Sequence, residues 1–204
     1  MRFVVEIASA RGARQGRARV VEVENGLVIA LADGAGGTGN GALAAEAIVR
    51  AIEGETTLPD ADRCAALIEN LDAEPQRLAH GQSTAVILGV GTQIVGASVG
   101  DSGAWLLRGS EVVDLTSGQI RKPLVGDGCA TVPIGPLLFE GTLLVASDGL
   151  FRYAKRADIA RVIEDATAFE ERGLATAAAA LIELVHLPNG ELQDDVAIVL
   201  VHIA

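Results

Sequence analysis

Gly141-Thr142-Leu143-Leu144-Val145-Ala146-Ser147-Asp148-Gly149-Leu150-Phe151 is the stretch whose reading decides the architecture. Residues 142–146 are few, apolar and β-branched at two positions, with glycine on either side, which predicts a buried strand. A carboxylate where such a strand runs out is costly unless it is paired or bound to a cation, so Asp148 calls for a partner. The same arrangement recurs along the chain. The apolar run 27–32 ends in Asp33-Gly34, residues 95–99 lead into Gly100-Asp101-Ser102, and Asp194-Asp195 opens the apolar run 196–203. Four strand ends that each carry a carboxylate predict that acidic groups from distant parts of the chain converge on one place.

The chain has 204 residues, which fits a single domain over 1–204 and suffices to bury a sizeable core. Hydrophobic residues make up 50% but aromatics only 3%, so that core must be filled by Ala, Val, Leu and Ile. The net charge of −11 offers no basic excess to displace phosphate counterions and argues against a nucleic-acid partner. It is compatible with clustered carboxylates and a cationic ligand, although an acidic solvated surface is the commoner cause. Cys64 and Cys129 lie far apart without metal-ligand spacing and read as reduced thiols. The N-terminus meets Glu6 before a signal-peptide core develops, and no run approaches the ~18 apolar residues of a membrane span. The expectation is a soluble cytoplasmic protein.

In order, residues 2–8 and 18–24 read as strands, and Asn25-Gly26 is a hairpin turn leading into 27–32. Between the first two strands, residues 11–19 form a basic loop in an acidic chain. It is either a solvated connection or an anion cradle, since guanidinium groups bind phosphate bidentately. Five glycines in residues 34–41 permit close backbone approach to a ligand, but neither the phosphate-loop nor the dinucleotide spacing is present. Asn40 is placed to cap a helix over 41–53. A second helix starts near Pro59-Asp60 with Cys64, Leu67, Ile68 and Leu71 as its buried stripe. Residues 83–115 read as a four-stranded meander (83–90, 93–99, 104–108 and 112–115), and the Gly- and Pro-rich residues 117–141 as a long irregular segment. Helices are predicted over 156–165 and 168–186, the latter so rich in alanine that it should be buried on more than one side. An uninterrupted meander fits a parallel doubly wound sheet poorly.

These residues resemble the metal-dependent type 2C (PPM-type) protein phosphatases, which hydrolyse phosphoserine and phosphothreonine. Residues 28–37 resemble the family's strand followed by Asp-Gly-x-Gly-Gly; Gln82-Ser83-Thr84-Ala85 its Gly-Ser-Thr-Ala start; and Ser98-Val99-Gly100-Asp101-Ser102 its Gly-Asp-Ser motif. Leu144 to Leu150 match the Ser-Asp-Gly block, and Asp194-Asp195-Val196-Ala197 the terminal Asp-Asp/Asn block. The resemblance implies an α+β fold, a four-layer αββα sandwich of two antiparallel sheets flanked by helices. It also implies two Mg²⁺ or Mn²⁺ ions and a third, more weakly held. Asp33 would bridge two ions, the Gly34 carbonyl would hold one, Asp148 and Asp194 the other, and Asp101 the third. Asp33, Asp148 and Asp194 are thus the candidate catalytic residues, with attack by metal-activated water. Asp195 is as good a ligand chemically as Asp194, and only the family register selects the first. Arg14, in Gly12-Ala13-Arg14, would receive phosphate.

The chain departs from the family in one respect. Arg17-Ala18-Arg19 stands where the family carries Asn-Glu-Asp, whose acids contact metal-bound waters, and Ala35 stands where a general acid is sometimes found. Two functions follow. One is a Ser/Thr protein phosphatase acting on a phosphorylated component of a kinase pathway. The other is a pseudophosphatase, a binding module of the same fold with weak or no activity. His80, His186 and His202 match no motif and read as structural, and Trp105 and Tyr153 as packing residues.

Overall fold

Strands covered on both faces need apolar side chains at every position, not at alternate ones, and this explains the unbroken runs at 27–32, 85–90 and 143–146. The computed structural model describes residues 1–10, 15–109, 111–168 and 173–203. Its strands form two five-stranded sheets. In the first the order is β1 (Arg2–Ala8), β10 (Val196–Ile203), β9 (Gly141–Ala146), β6 (Gly103–Arg108) and β7 (Glu111–Asp114). In the second it is β2 (Gly16–Val23), β3 (Gly26–Asp33), β4 (Ala85–Val90), β5 (Gln93–Val99) and β8 (Val132–Leu138). Every neighbouring pair of strands is antiparallel.

Side-chain alternation sorts the apolar residues into three layers of core. Ile29, Leu31, Val86 and Leu88 meet Leu106, Leu143, Val145 and Val199 between the sheets. The opposite side chains of the second sheet, Val28, Ala30 and Ile87, pack under α1 (Gly41–Arg50) and α2 (Ala61–Asp72) through Ile48, Cys64, Ile68 and Leu71. Those of the first sheet, Leu144, Ile198 and Leu200, pack under α4 (Arg156–Ala168) and α5 (Gly173–Glu183) through Ile159, Ile163 and Leu181. This is the expected αββα sandwich. The stripe assigned to α2 is buried in full, and the Asp60 side chain caps that helix by accepting from the Arg63 amide at 2.8 Å. Cys64 and Cys129 are free thiols.

Four expectations change. The meander is not one sheet: after β5 the chain crosses at Gly100-Asp101-Ser102, and β6 and β7 belong to the facing sheet. The segment 117–141 contains β8, whose Pro133 and Pro136 are tolerated because it is an edge strand with no outer neighbour to receive an N–H. The helix expected over 168–186 is α5, buried on one side by Ala177, Ala178, Leu181 and Ile182, while Ala175 and Ala179 are exposed. Asn40 makes no side-chain cap to α1 and instead donates to the Ala79 carbonyl at 2.8 Å. Among the described residues no helix is long and apolar enough to cross a membrane.

Candidate functional site

Strand direction brings the acidic residues to one end of the sandwich. Gly16 at the start of β2 pairs with Asp33 at the end of β3, and Ala85 at the start of β4 pairs with Val99 at the end of β5. In the facing sheet Ala146, at the end of β9, lies between Gly103 at the start of β6 and Ile198 near the start of β10. The link Gly100-Asp101-Ser102 joins the two sheets at this end. A side chain at Gly16 would touch Ala197 at 3.3 Å and Asp195 at 3.8 Å, which shows how closely the sheets approach here.

Hydroxyl groups hold the backbone under Asp33. The Asp33 amide donates to Thr84 Oγ1 at 2.9 Å, the Thr84 amide donates to the Asp33 carbonyl at 2.9 Å, and Ser83 Oγ donates to that carbonyl at 2.9 Å. Ser102 Oγ hydrogen-bonds Thr84 Oγ1 at 2.6 Å and ties the sheet crossing to the same point. Next to it Gly34 has no room for a side chain, since a Cβ would stand 2.2 Å from the Gly41 carbonyl carbon at the start of α1.

The Ser147-Asp148-Gly149 step is built around β10. Ser147 Oγ donates to the Asp195 carbonyl at 3.1 Å and accepts from the Ala197 amide at 3.0 Å. A Cβ on Gly149 would fall 2.2 Å from that same Asp195 carbonyl oxygen, so glycine is required for the chain to turn this close to β10. Asp148 then opens the four-residue helix α3 (Asp148–Phe151).

The two neighbouring acids 194 and 195 behave differently. Asp195 is 3% exposed and accepts backbone amides, Ala10 at 2.7 Å on Oδ1 and Gln15 and Gly16 on Oδ2. Asp194 is partly exposed, and its Oδ1 accepts from the Asp195 amide at 2.9 Å. Asp101 is held by Arg121, whose Nε and Nη2 donate to Oδ2 at 2.9 and 2.6 Å. Arg14 lies outside the described residues. The described residues on either side of it, Ala10 and Gln15, donate their amides to Asp195. Arg17 Nε meets Glu46 of α1 at 3.0 Å, and Arg19 Nη1 meets Glu53, in the turn after α1, at 2.7 Å. Ala18 faces the inter-sheet core.

Burial pushes the Asp33 carboxyl up to about 8, and repulsion from Asp148, Asp194, Asp195 and Asp101 adds to it. Asp148 is also raised, first by burial and then by Asp101 and Asp194, with Arg152 and Arg121 opposing. The repulsion acting on Asp33 and Asp148 accords with these acids lying at one end of the molecule. Among the described residues, however, no group of three His, Cys, Asp or Glu side chains is arranged to hold a metal ion. The donor set is nevertheless all-oxygen and over-supplied with negative charge, which suits a hard divalent cation such as Mg²⁺ or Mn²⁺. Sequence reasoning missed Arg121 and the clamping role of Asp195, because neither sits in a local pattern that reveals its partner.

No family model and no curated protein matches the chain. Solved structures do. The serine/threonine phosphatase of S. agalactiae superposes with a TM-score of 0.82 at 24% identity, covering 100% of this chain and 99% of that one. A bacterial serine phosphatase superposes at 0.78 and 19%, covering 100% and 98%. The Mycobacterium tuberculosis serine/threonine phosphatase PstP/Ppp superposes at 0.73 and 19%, covering 99% and 98%. The fold is therefore that of the bacterial type 2C serine/threonine phosphatases, matched over the full length.

Proposed function

We propose that this chain is a metal-dependent hydrolase of phosphoserine and phosphothreonine on proteins. The observation that supports the reading is that β3 and β9 end, and β10 begins, at the same end of the two sheets, which puts Asp33, Asp148 and Asp194 at that end. In this reading Asp33, Asp148 and Asp194 with the Gly34 carbonyl hold Mg²⁺ or Mn²⁺. When bound, such ions acidify water and neutralise phosphoryl oxygens during in-line displacement. The chain's own residues do the positioning. Ser83, Thr84 and Ser102 fix the Asp33 backbone. Asp195 holds Ala10 and Gln15, on either side of the segment with Arg14, the proposed phosphate receiver. Ala35 carries no proton to give, so the leaving hydroxyl takes its proton from solvent. The substrate class is a phosphoprotein of a kinase pathway.

A pseudophosphatase is the second reading, favoured by the pairing of Arg17 and Arg19 with Glu46 and Glu53 where outer carboxylates would otherwise stand. Hydrolysis of p-nitrophenyl phosphate and of a phosphothreonine peptide at millimolar Mn²⁺ separates the two. The phosphatase reading expects activity that EDTA abolishes and that Asp33→Ala and Asp148→Ala each reduce by at least about 10²-fold. An inactive but folded wild-type protein would overturn it in favour of the binding module.

A further inference from the structure

Arg121 belongs to no motif, yet its guanidinium sits on one of the five carboxylates at the candidate site. Nε and Nη2 both donate to Asp101 Oδ2, at 2.9 and 2.6 Å. The carboxylate is the more enclosed partner, 27% exposed against 73% for the arginine side chain, so the cation covers Asp101 from the solvent side. Its charge reaches inward as well, since Arg121 also acts on Asp148. A cavity of about 270 Å³ opens beside the pair, bordered by Gly100, Trp105, Asp114 and Gln119.

We propose that Arg121 is a built-in counter-ion that occupies Asp101 and closes that position to a third divalent cation. The inference rests on the reading of Asp33, Asp148 and Asp194 as the main metal ligands. Mg²⁺ and Mn²⁺ keep most of their waters and need few protein oxygens, so a lone carboxylate beside an open cavity is a usable weak site. A guanidinium on Oδ2 weakens that use in two ways: it takes up one of the two carboxylate oxygens, and it places a positive charge against any cation arriving at the other. Arginine does this permanently, because it stays charged at every working pH. Guanidinium and metal therefore compete at Asp101. The effect is modest, since an ion pair with a solvent-exposed arm is weak and a divalent ion can displace it at high concentration.

The test is a count of bound Mn²⁺, by electron paramagnetic resonance of the free ion during titration of the intact chain. Arg121→Gln is expected to bind one more ion than wild type, or to hold its weakest ion about five- to tenfold more tightly. Arg121→Lys, which cannot fork onto one oxygen, should fall between the two. Asp101→Asn combined with Arg121→Gln should return to the wild-type isotherm. If Arg121→Gln and Arg121→Lys superpose on wild type, or if the gain survives loss of Asp101, the proposal is overturned. A wild-type protein that binds no Mn²⁺ would count against the phosphatase reading, while the difference between wild-type and Arg121→Gln isotherms would still judge this one. The exposed position of Arg121 makes misfolding an unneeded worry, and the metal-free circular dichroism spectra of the variants check it.

Discussion

Burial and four neighbouring carboxylates raise the Asp33 carboxyl from 3.8 to about 8, which makes it a destabilising residue in the metal-free protein. Below about pH 4 both folded and unfolded chains hold this proton. As pH rises the unfolded chain releases it first, so the stability tied to this group is progressively lost until about pH 8, where the folded chain is ionised too. Asp33→Asn removes the titration. In EDTA the variant should melt higher than wild type near pH 8, by an amount on the order of a few kcal/mol, with the gap shrinking towards pH 5. Mn²⁺ should raise the wild-type midpoint and leave that of the variant unmoved. Parallel melting curves for the two proteins across that range would dispose of the idea. In the proposed reading such a residue is kept at a cost in stability because its charge serves a bound cation. Asp33, Asp101 and Asp148 stand out in the sequence as candidates because each follows an apolar run and is flanked by glycine. Arg121 does not, because an arginine in a Gly- and Pro-rich segment carries no pattern, and its partner is 20 positions away.

At the scale of elements, the junction of β9, α3 and β10 shows how a short motif becomes a fixed geometry. Ser147 is fully buried and serves both a carbonyl and an amide of the neighbouring strand. Ser147→Ala would leave the Ala197 amide and the Asp195 carbonyl each short of a partner in an apolar setting. A loss of about 1–3 kcal/mol is expected in urea denaturation, together with weaker Mn²⁺ binding because Asp148 follows directly. A loss below ~0.5 kcal/mol would mean that water or backbone shifts replace the hydroxyl. Element type was readable where both faces of a strand are buried, since composition alone then names it, as in β3, β4 and β9. β8 was hidden by its prolines, which only an edge position permits. The sheet change after β5 was hidden for a different reason: Gly100-Asp101-Ser102 reads equally as a hairpin turn or as a crossing, and only the facing apolar surfaces decide.

For the molecule as a whole, the question is what keeps the N-terminal segment, the first sheet and the second sheet in one arrangement at the acidic end. Asp195 contributes most visibly: a single carboxylate, buried at the start of β10, takes amides 185, 180 and 179 positions away. Those amides lead out of β1 and into β2, so the contact binds the edges of both sheets together. In the proposed reading, with Asp194 as ligand, neighbouring acids have separable roles, a division that no spacing along the chain reveals. Asp195→Asn keeps one acceptor and turns the other into a donor facing N–H groups. It should therefore cost about 2–3 kcal/mol of stability whether or not Mn²⁺ is present. Asp194→Asn should leave metal-free stability unchanged or slightly raised, because one repulsion on Asp33 is gone, while abolishing the stabilisation by Mn²⁺. Melting curves with EDTA and with Mn²⁺ give a two-by-two comparison. If instead Asp195→Asn melts like wild type and loses its response to Mn²⁺, Asp195 is the ligand and the roles are exchanged. The clamp would then have to be sought in the strand pairings of β1 with β10 and β2 with β3, which run to the same end without it.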